Sequence, residues 1–345
     1  MAVPATWNTG LVLDSILTTS LMNYMRTLFE QVVTQNPIYY RAYAKNRIDT
    51  MDGGEAIIVP LMYAFNTTVK FYQAYENLDV TPQDGMTPAR YEWKQLSGSV
   101  AISRLEERQN AGKNKIISLL DSKMEQLQIS LGEKLGRVSF GDGTEDGGKS
   151  FLGLSALIET GAVAFSVLGG IDSAANTWWR NQVYDVSGLD GGNFDGTAVK
   201  AGGDVINGQT WMRRLYNLCS QNNDQPTLGV THMTTYEEWE ASLESNLRYT
   251  DTEMAQWGFT NTRFKNAIVV WDKDHIVGTT GVGTLGRFYF INEKYLKVIL
   301  DSGTNFINTP FIRPHNQDAR SSQILVMGNM VTTNRRKSGV MFGVV

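Results

Sequence analysis

The sequence predicts an α+β fold, and three observations predict it. The first is one long amphipathic run, Asn110–Leu135, in which Ile116, Leu120, Met124, Leu127, Leu131 and Leu135 recur at steps of three or four. The second is a pair of extended, β-prone stretches within residues 54–103, separated by turn-forming residues. The third is a glycine-rich second half in which short apolar strands alternate with helical segments. The long run would make a helix of about 39 Å. Gly136 and the DGTEDGG run ending at Gly148 are expected to stop it. Burying its six apolar side chains would contribute at most ~12 kcal/mol, comparable with a domain's net stability. The stripe therefore reads as core packing, not as a groove kept for a partner.

In chain order, residues 1–13 lack periodicity and read as an extended tail. Leu21, Met25, Leu28 and Val32, with Ile16 and Leu17 ahead of them, predict an amphipathic helix closed by Pro37. The segment Ile38–Arg47 mixes Tyr39, Tyr40 and Tyr43 with Arg41, Lys45 and Arg47. Such interleaving suits stacking on nucleic acid, but the basic cluster is small, and a strap packed over the body is the better reading. Ala56–Tyr63 is β-prone, with Pro60 marking an edge. Thr67, Val69 and Phe71 alternate with polar neighbours, and a returning strand runs from Tyr91 through Val100 and Ile102, with Gly98 as a bulge. TPQDGMTP at 81–88 supplies the turn. Residues 54–103 thus read as a two-stranded arm. At roughly 20 residues per strand it would reach on the order of 60 Å. A lone ribbon is marginal in water, so an intermolecular role follows. Deleting Thr67–Lys94 is expected to leave a folded subunit that cannot assemble.

Beyond the helix, Asp142–Gly148 reads as a flexible connector and Phe151–Ile158 as a short buried piece. Trp178 and Trp179 are adjacent, so one packs inward and the other meets another segment or a partner. Asp185–Gly203 reads as an exposed loop. Thr210 opens a helix to Ser220 that carries Trp211, Leu215 and Leu218 on one face. Pro226–Thr231 reads as a strand. Thr235 and Glu238 form a capping box for a helix with Tyr236, Trp239, Leu243 and Leu247 on one side. Ala267–Trp271 and Arg287–Asn292 are further strands. Gln323–Val331 and Gly339–Val345 read as a hairpin with a basic tip, TTNRRKS.

A net charge of −4 over 345 residues leaves no basic stripe for wrapping a duplex. The single cysteine, Cys219, excludes an internal disulfide, and the start of the chain has no signal-peptide pattern. No stretch approaches a membrane span, so a cytoplasmic site of synthesis and no membrane are expected. His232, His275 and His315 have no second ligand at metal spacing; with Asp272, Asp274 and Asp318 nearby, they read as structural or exposed. Cys219 reads as an inert core thiol. Asp142–Gly153 lacks the Glu that a calcium loop needs at its last position. Gly143–Ser150 fits the P-loop spacing but follows a helix and carries Glu145 and Asp146, and the G-x-G-x-x-G at Gly281–Gly286 precedes a strand. No catalytic, cofactor or metal residue is assigned.

The order of elements, together with FLGLSALI, PTLGVTHMTTYEEWEASL, FKNAIVVWDKD, RFYFINEKYL and ILVMGNMVTTNRRKSGVMFGV, resembles the tailed-bacteriophage major capsid protein family of Hong-Kong-97-like fold. The resemblance implies an N-terminal arm at 1–50, an E-loop hairpin at 51–105, a spine helix with the first part of the peripheral domain at 106–150, an axial domain at 151–314 and the rest of the peripheral domain at 315–345. It implies a non-enzymatic shell subunit that forms hexamers and pentamers around double-stranded DNA, without sequence-specific contact. It also implies a portal, a decoration protein in some members and location in the virion. Because only about 50 residues precede the arm, a separate scaffolding protein is expected rather than a cleaved scaffolding segment. Lys70 and Lys94 lie in the arm, but no acceptor for a covalent cross-link is identified. The competing readings are an encapsulin-type nanocompartment shell of the same fold and an oligomeric α/β enzyme, the latter disfavoured by the lack of a convincing site.

Overall fold

The computed structural model describes residues 36–109, 113–161, 166–186, 198–199, 205–206, 208–243, 261–275, 286–313 and 318–344. The expected tail, the helix over Ile16–Val32, residues 281–285, most of the Asp185–Gly203 loop, Leu247 and His315 lie outside these residues. The principal elements are α1 Pro37–Ala44, β1 Ile48–Met51, β2 Ile57–Met62, β3 Met86–Tyr91, β4 Lys94–Ser103, α2 Arg104–Gln109, the spine helix α3 Lys113–Phe140 and β5 Gln182–Asp185. They continue with α4 Gly208–Cys219, β6 Leu228–Thr231, α5 Met233–Ser242, β7 Asn261–Phe264, β8 Ala267–Trp271, β9 Gly286–Ile291, β10 Leu296–Asp301, β11 Ile307–Asn308, β12 Ala319–Thr332 and β13 Gly339–Val344.

The spine helix has 28 residues, and it passes through Gly136 instead of stopping there. A Cβ at position 136 would lie 2.8 Å from Asp274 Oδ2, so glycine here permits a close crossing and does not break the helix. Met124, Leu131 and Leu135 are buried and Leu127 is half-buried, as the stripe required, and Val138 extends it; the side chains of Ile116 and Leu120 lie outside the described residues. The DGTEDGG run is tied to the spine: Glu145 accepts from Lys134 at 3.0 Å and from Arg137 at 3.4 Å.

The spine packs on a five-stranded sheet built around β12. Along β12, residues 319–328 pair with β4, residues 328–332 with β10 and residues 324–325 with β11. β1 adds in parallel to β10. This corrects the arm: β4 belongs to the body, not to the ribbon. Gly98 is no bulge, since the register with Ile324 is unbroken. A Cβ there would meet Leu127 Cδ1 at 2.6 Å, so glycine lets the strand touch the spine.

A second sheet has six strands in the order β7-β8-β6-β9-β13-β5. It is buried on both faces, which explains its near-continuous apolar runs. Phe288, Phe290, Val269 and Met341 meet Trp211, Leu215, Tyr216 and Trp239 of α4 and α5. Tyr289, Ile291, Val230 and Val340 face the larger core with Phe140 and Leu154. Two helix starts are corrected. Thr210 lies inside α4, which begins at Gly208. His232, not Thr235, caps α5, its ring nitrogen accepting from the Thr234 amide. Leu218 is 50% exposed, and the buried face of α4 runs through Trp211, Met212, Leu215, Tyr216 and Cys219.

The two C-terminal strands do not form a hairpin. β12 lies in the first sheet and β13 in the second. Their connection crosses from one sheet to the other through the turn Arg335–Lys337. The expected basic tip is inverted: Arg335 is 1% exposed and Lys337 6%. Arg335 donates to Leu157 O at 2.9 Å and Ser173 Oγ at 2.7 Å, and its Nη2 lies 3.6 Å from Glu159. A buried cation needs such partners, and here they tie three segments to the crossover.

Candidate assembly surface

The arm is shorter than its sequence texture suggests. β2 and β3 pair over six residues each, about 20 Å of ladder. Thr67–Tyr72 is not a strand. Beyond Met62 and Met86 the two runs are held by side chains. Asn66 Oδ1 takes the Thr68 amide at 2.9 Å and Asp79 Oδ1 the Thr81 amide at 3.0 Å. These local bonds curl the backbone and compete with a ladder. Thr67 Oγ1 meets Gln83 Oε1 at 2.9 Å and joins the two runs.

The ribbon is seated on its own body by one face only. Ile57, Val59, Leu61, Ala89 and Tyr91 are buried, and the Tyr91 hydroxyl donates to Thr332 O at 2.9 Å. Where the ladder gives way to the loop, Trp178 stacks on Tyr63 with centroids 5.3 Å apart, while Trp179 is fully buried. The expected division of labour between the two tryptophans is thus met by another segment of the same chain. The outer face carries Ile58, Met62 and Met86 at 52%, 73% and 70% exposure. The loop beyond is more exposed still: Phe65, Val69, Phe71, Tyr75 and Val80 all exceed 80%. So much solvated aromatic surface on one projection marks an interaction site.

Pro60 and Pro88 sit directly opposite each other in the ribbon. Neither has an N–H, so the pair occupies a position where backbone groups point outward rather than at each other. Each outer edge therefore lacks a donor at its centre, and addition of a further strand is disfavoured there.

The N-terminal segment is anchored at two points. Pro37, expected to close the helix that lies outside the described residues, opens α1 at its first position, capped by Asn36, whose Oδ1 accepts from the Ile38 amide at 2.9 Å. Ile38, Tyr39, Tyr40 and Arg41 are buried, in keeping with a segment packed on the body, whereas Tyr43 is exposed. Arg41 and Glu293 form a bidentate pair at 2.5 and 2.8 Å. This pair, the Pro60–Pro88 register and the Met62–Met86 face were invisible in the sequence, because each depends on a strand or helix pairing that local pattern does not specify.

The groups considered for chemistry are dispersed. Cys219 is buried, which pushes its thiol up. A helix, not a strand, precedes Gly143–Ser150, so the P-loop context fails. Among the described residues no group of three or more His, Cys, Asp or Glu is placed to hold a metal. His275 lies between the rings of Phe140 and Tyr289, at 5.1 and 5.3 Å. Burial, with His232 and Arg287 nearby, lowers its pKa to about 3. Asp272 beside it is pushed up to about 6, by burial and by the charge of Asp274. Asn36 Nδ2 reaches Asp272 Oδ2 at 3.3 Å.

These two shifts act oppositely. His275 must be neutral in the fold, so its contribution is full above the unfolded pKa near 6.5 and is lost as pH falls towards 3. Asp272 favours the fold when protonated, so its contribution is gained as pH falls through about 6 towards 4. Asp272→Asn should therefore make the protein more acid-sensitive than wild type between pH 7 and about 4.5, by up to ~1.4 kcal/mol per pH unit. His275→Phe should make it less so. Urea unfolding midpoints across that range check both signs.

No family model matches the sequence, and no curated protein matches it. Solved structures are nevertheless similar in fold. A chain of the cyanophage A-1(L) capsid asymmetric unit gives a TM-score of 0.61 at 13% identity, covering 87% of this chain and 90% of that one. The holo-SrpI encapsulin complex from Synechococcus elongatus PCC 7942 gives 0.52 at 9% identity, covering 90% and 88%. The satellite phage P4 procapsid that includes the size determination protein gives 0.50 at 9% identity, covering 99% and 98%. The likeness covers most of each of these chains, and the expectation drawn from the sequence holds at the level of architecture: the chain has the Hong-Kong-97-like capsid fold.

Proposed function

We propose that the chain is the major capsid protein of a tailed phage, a structural and non-enzymatic subunit that assembles as hexamers and pentamers into an icosahedral shell around double-stranded DNA. The observation that carries this reading is the arm. In a chain of capsid fold, the most exposed apolar side chains gather on one projection, at Phe65, Phe71 and Tyr75, which its own body leaves uncovered. A second copy is the natural cover, and modest contacts made by many copies add through effective concentration.

The reading divides the chain into an N-terminal arm at 1–50, an E-loop at 51–105, the spine with peripheral residues at 106–150, an axial domain at 151–314 and a peripheral remainder at 315–345. Two pairings amend it: β4 serves the peripheral sheet and β13 the axial one. A separate scaffolding protein, a portal and, in a decorated shell, a further surface protein are its expected partners. The size determination protein of the P4 procapsid is a precedent for a separate assembly factor. The shell would be assembled in the host cytoplasm and reside in the virion.

Negative-stain electron microscopy of the expressed chain, alone and with its scaffolding partner, tests the proposal. Closed shells are expected. A stable monomer or small oligomer under both conditions overturns it, and a dimer that turns over a metabolite supports the enzyme reading instead. Shells that copurify with an enclosed enzyme and exclude DNA reassign it to the encapsulin type.

A further inference from the structure

Where the ladder of the arm gives way to its loop, the end of β2 lies over the body and leaves a cleft. Its main part, about 570 Å³, runs between Met62–Phe65 and the bridged turn Gln221–Asp224. A slot of about 150 Å³ shares Met62, Tyr63 and Phe65 with it and continues to Trp178 and to Arg336 of the crossover turn. The main part alone lies within the roughly 300–1,000 Å³ of pockets that enclose a drug-sized group.

The two walls differ. The wall given by the arm is thioether and aromatic, ending in the Tyr63–Trp178 stack. The wall given by the body is cationic: Lys294, Arg336 and Lys337 line it against one carboxylate, Asp224. Lys294 and Lys337 share that carboxylate, each at 3.8 Å. Burial pulls the Lys337 ammonium below its ordinary value; Asp224 opposes this, and the charges of Arg336 and Lys294 add to it. Arg336 is exposed, and among the described residues its guanidinium has no ion pair; its amide donates to Asn334 Oδ1 at 3.2 Å. A cleft with aromatic surface on one side and an unmatched guanidinium on the other suits an aromatic side chain with a carboxylate next to it.

Among the described residues that chemistry occurs at the far end of the arm itself. Phe71 and Tyr75 are fully exposed, so they do not occupy the cleft of their own chain. A turn closed by the Glu76 amide on Gln73 O at 3.0 Å sets Glu76 beside Tyr75. Glu76 is exposed, and its carboxylate has no ion pair among the described residues. Lys70 donates to Asn77 O at 3.3 Å. Away from the arm, the large exposed aromatic is Tyr43, and its neighbours Arg41 and Lys45 have the wrong sign for this cleft.

We infer that the arm of one copy seats Phe71 and Tyr75 in this cleft of a second copy, with Glu76 against Arg336. The inference deepens the shell reading and rests on it for the presence of the second copy. Inserted loop and receiving cleft are different surfaces, so the contact is heterologous: it repeats head to tail and closes a ring where the rotation allows. A two-fold contact between two arms would stop at a pair.

Thiol cross-linking of the full-length chain tests the inference. Cys219 is buried and its thiol is pushed up, so it stays silent. Gln73→Cys and Asn223→Cys place thiols at exposed positions on the loop and on the body's wall of the cleft. With a short bismaleimide the combined variant should give a ladder on a denaturing gel that passes the dimer and ends at five and six copies, while each single variant stops at the dimer or below. Gln73→Cys with Ile129→Cys, on the exposed side of the spine, should give no ladder. Glu76→Arg and Arg336→Glu should each lower the ladder yield about tenfold or more, the scale of one charge-assisted hydrogen bond, and the two together should restore it. Shells without a ladder from the Gln73–Asn223 pair, or with one from the Ile129 pair instead, overturn the contact and leave the shell reading standing. An exchange of charges no better than either single reversal also overturns it. A ladder without shells supports the contact and counts against the shell reading, and neither ladder nor shells overturns both.

Discussion

Glu293→Ala should lower the unfolding free energy by about 3–5 kcal/mol, the characteristic cost of removing one member of a buried ion pair. Arg41 is 4% exposed and Glu293 8%, and the two meet through a fork of two hydrogen bonds. The substitution leaves a guanidinium charge in the interior without its carboxylate, and also strips the Thr227 hydroxyl of its acceptor. Against a typical net stability of about 5–15 kcal/mol, this is a large fraction. The loss should be felt first in α1, because the pair fixes that helix to the turn between β9 and β10. Hydrogen exchange in Tyr40–Ala44 should rise before that of the second sheet. The charge, not the pair as such, causes the loss. The double replacement Arg41→Met with Glu293→Leu should recover most of it, since apolar substitutes for a buried pair are often neutral. A double-mutant cycle gives the coupling directly. An unfolding free energy for Glu293→Ala within ~1 kcal/mol of wild type would show that water already reaches the pair.

What was legible in the sequence was whatever a single element determines by itself. The spine repeats its apolar positions at helical spacing, so its existence and face were found although its end was not, and Ala267–Trp271 is a continuous apolar run found at its true limits. What was not legible depends on the neighbour. Pro37 looks the same in sequence whether it stops one helix or starts the next, and only the Asn36 cap distinguishes the two. Gly136 has the sequence appearance of a stop, but its role is to admit Asp274. β4 alternates like a ribbon strand, yet its partner is β12, far away in the chain, and alternation does not name a partner. The short link between β12 and β13 suggested a hairpin. Arg335 instead finds buried acceptors at the crossing, Lys337 is buried 3.8 Å from Asp224, and the strands part into different sheets. The arm was read correctly as a projection and wrongly as a continuous ladder, because Asx turns at Asn66 and Asp79 end the pairing.

That corrected arm sets the second large effect. Deletion of Thr67–Lys94 would remove Ala89 and Tyr91, both buried in the body, so loss of assembly would then be confounded by loss of folding. The segment whose apolar side chains the body leaves uncovered is the loop within Asn66–Gln83, and Phe71 and Tyr75 at its far end are fully exposed, at 104% and 101%. Phe71→Asp combined with Tyr75→Asp should abolish shell formation while leaving the subunit's unfolding free energy within about 0.5 kcal/mol of wild type, as for surface sites without local contacts. Burying two aromatic side chains is worth roughly 3–6 kcal/mol per arm, and the change also places two carboxylates where a neighbour would have to desolvate them. Glu76 and Asp79 already outnumber Lys70 in the loop, so two further carboxylates leave it strongly acidic. In the proposed shell every subunit would contribute an arm, so a defect of this size would be multiplied across it. Phe71→Leu keeps apolar area and should still assemble. Electron microscopy and sedimentation report the particles, and denaturant unfolding of the subunit supplies the control. Normal shells from the double aspartate variant would mean that the exposed aromatics are not the contact, and that the Ile58, Met62 and Met86 face carries it instead.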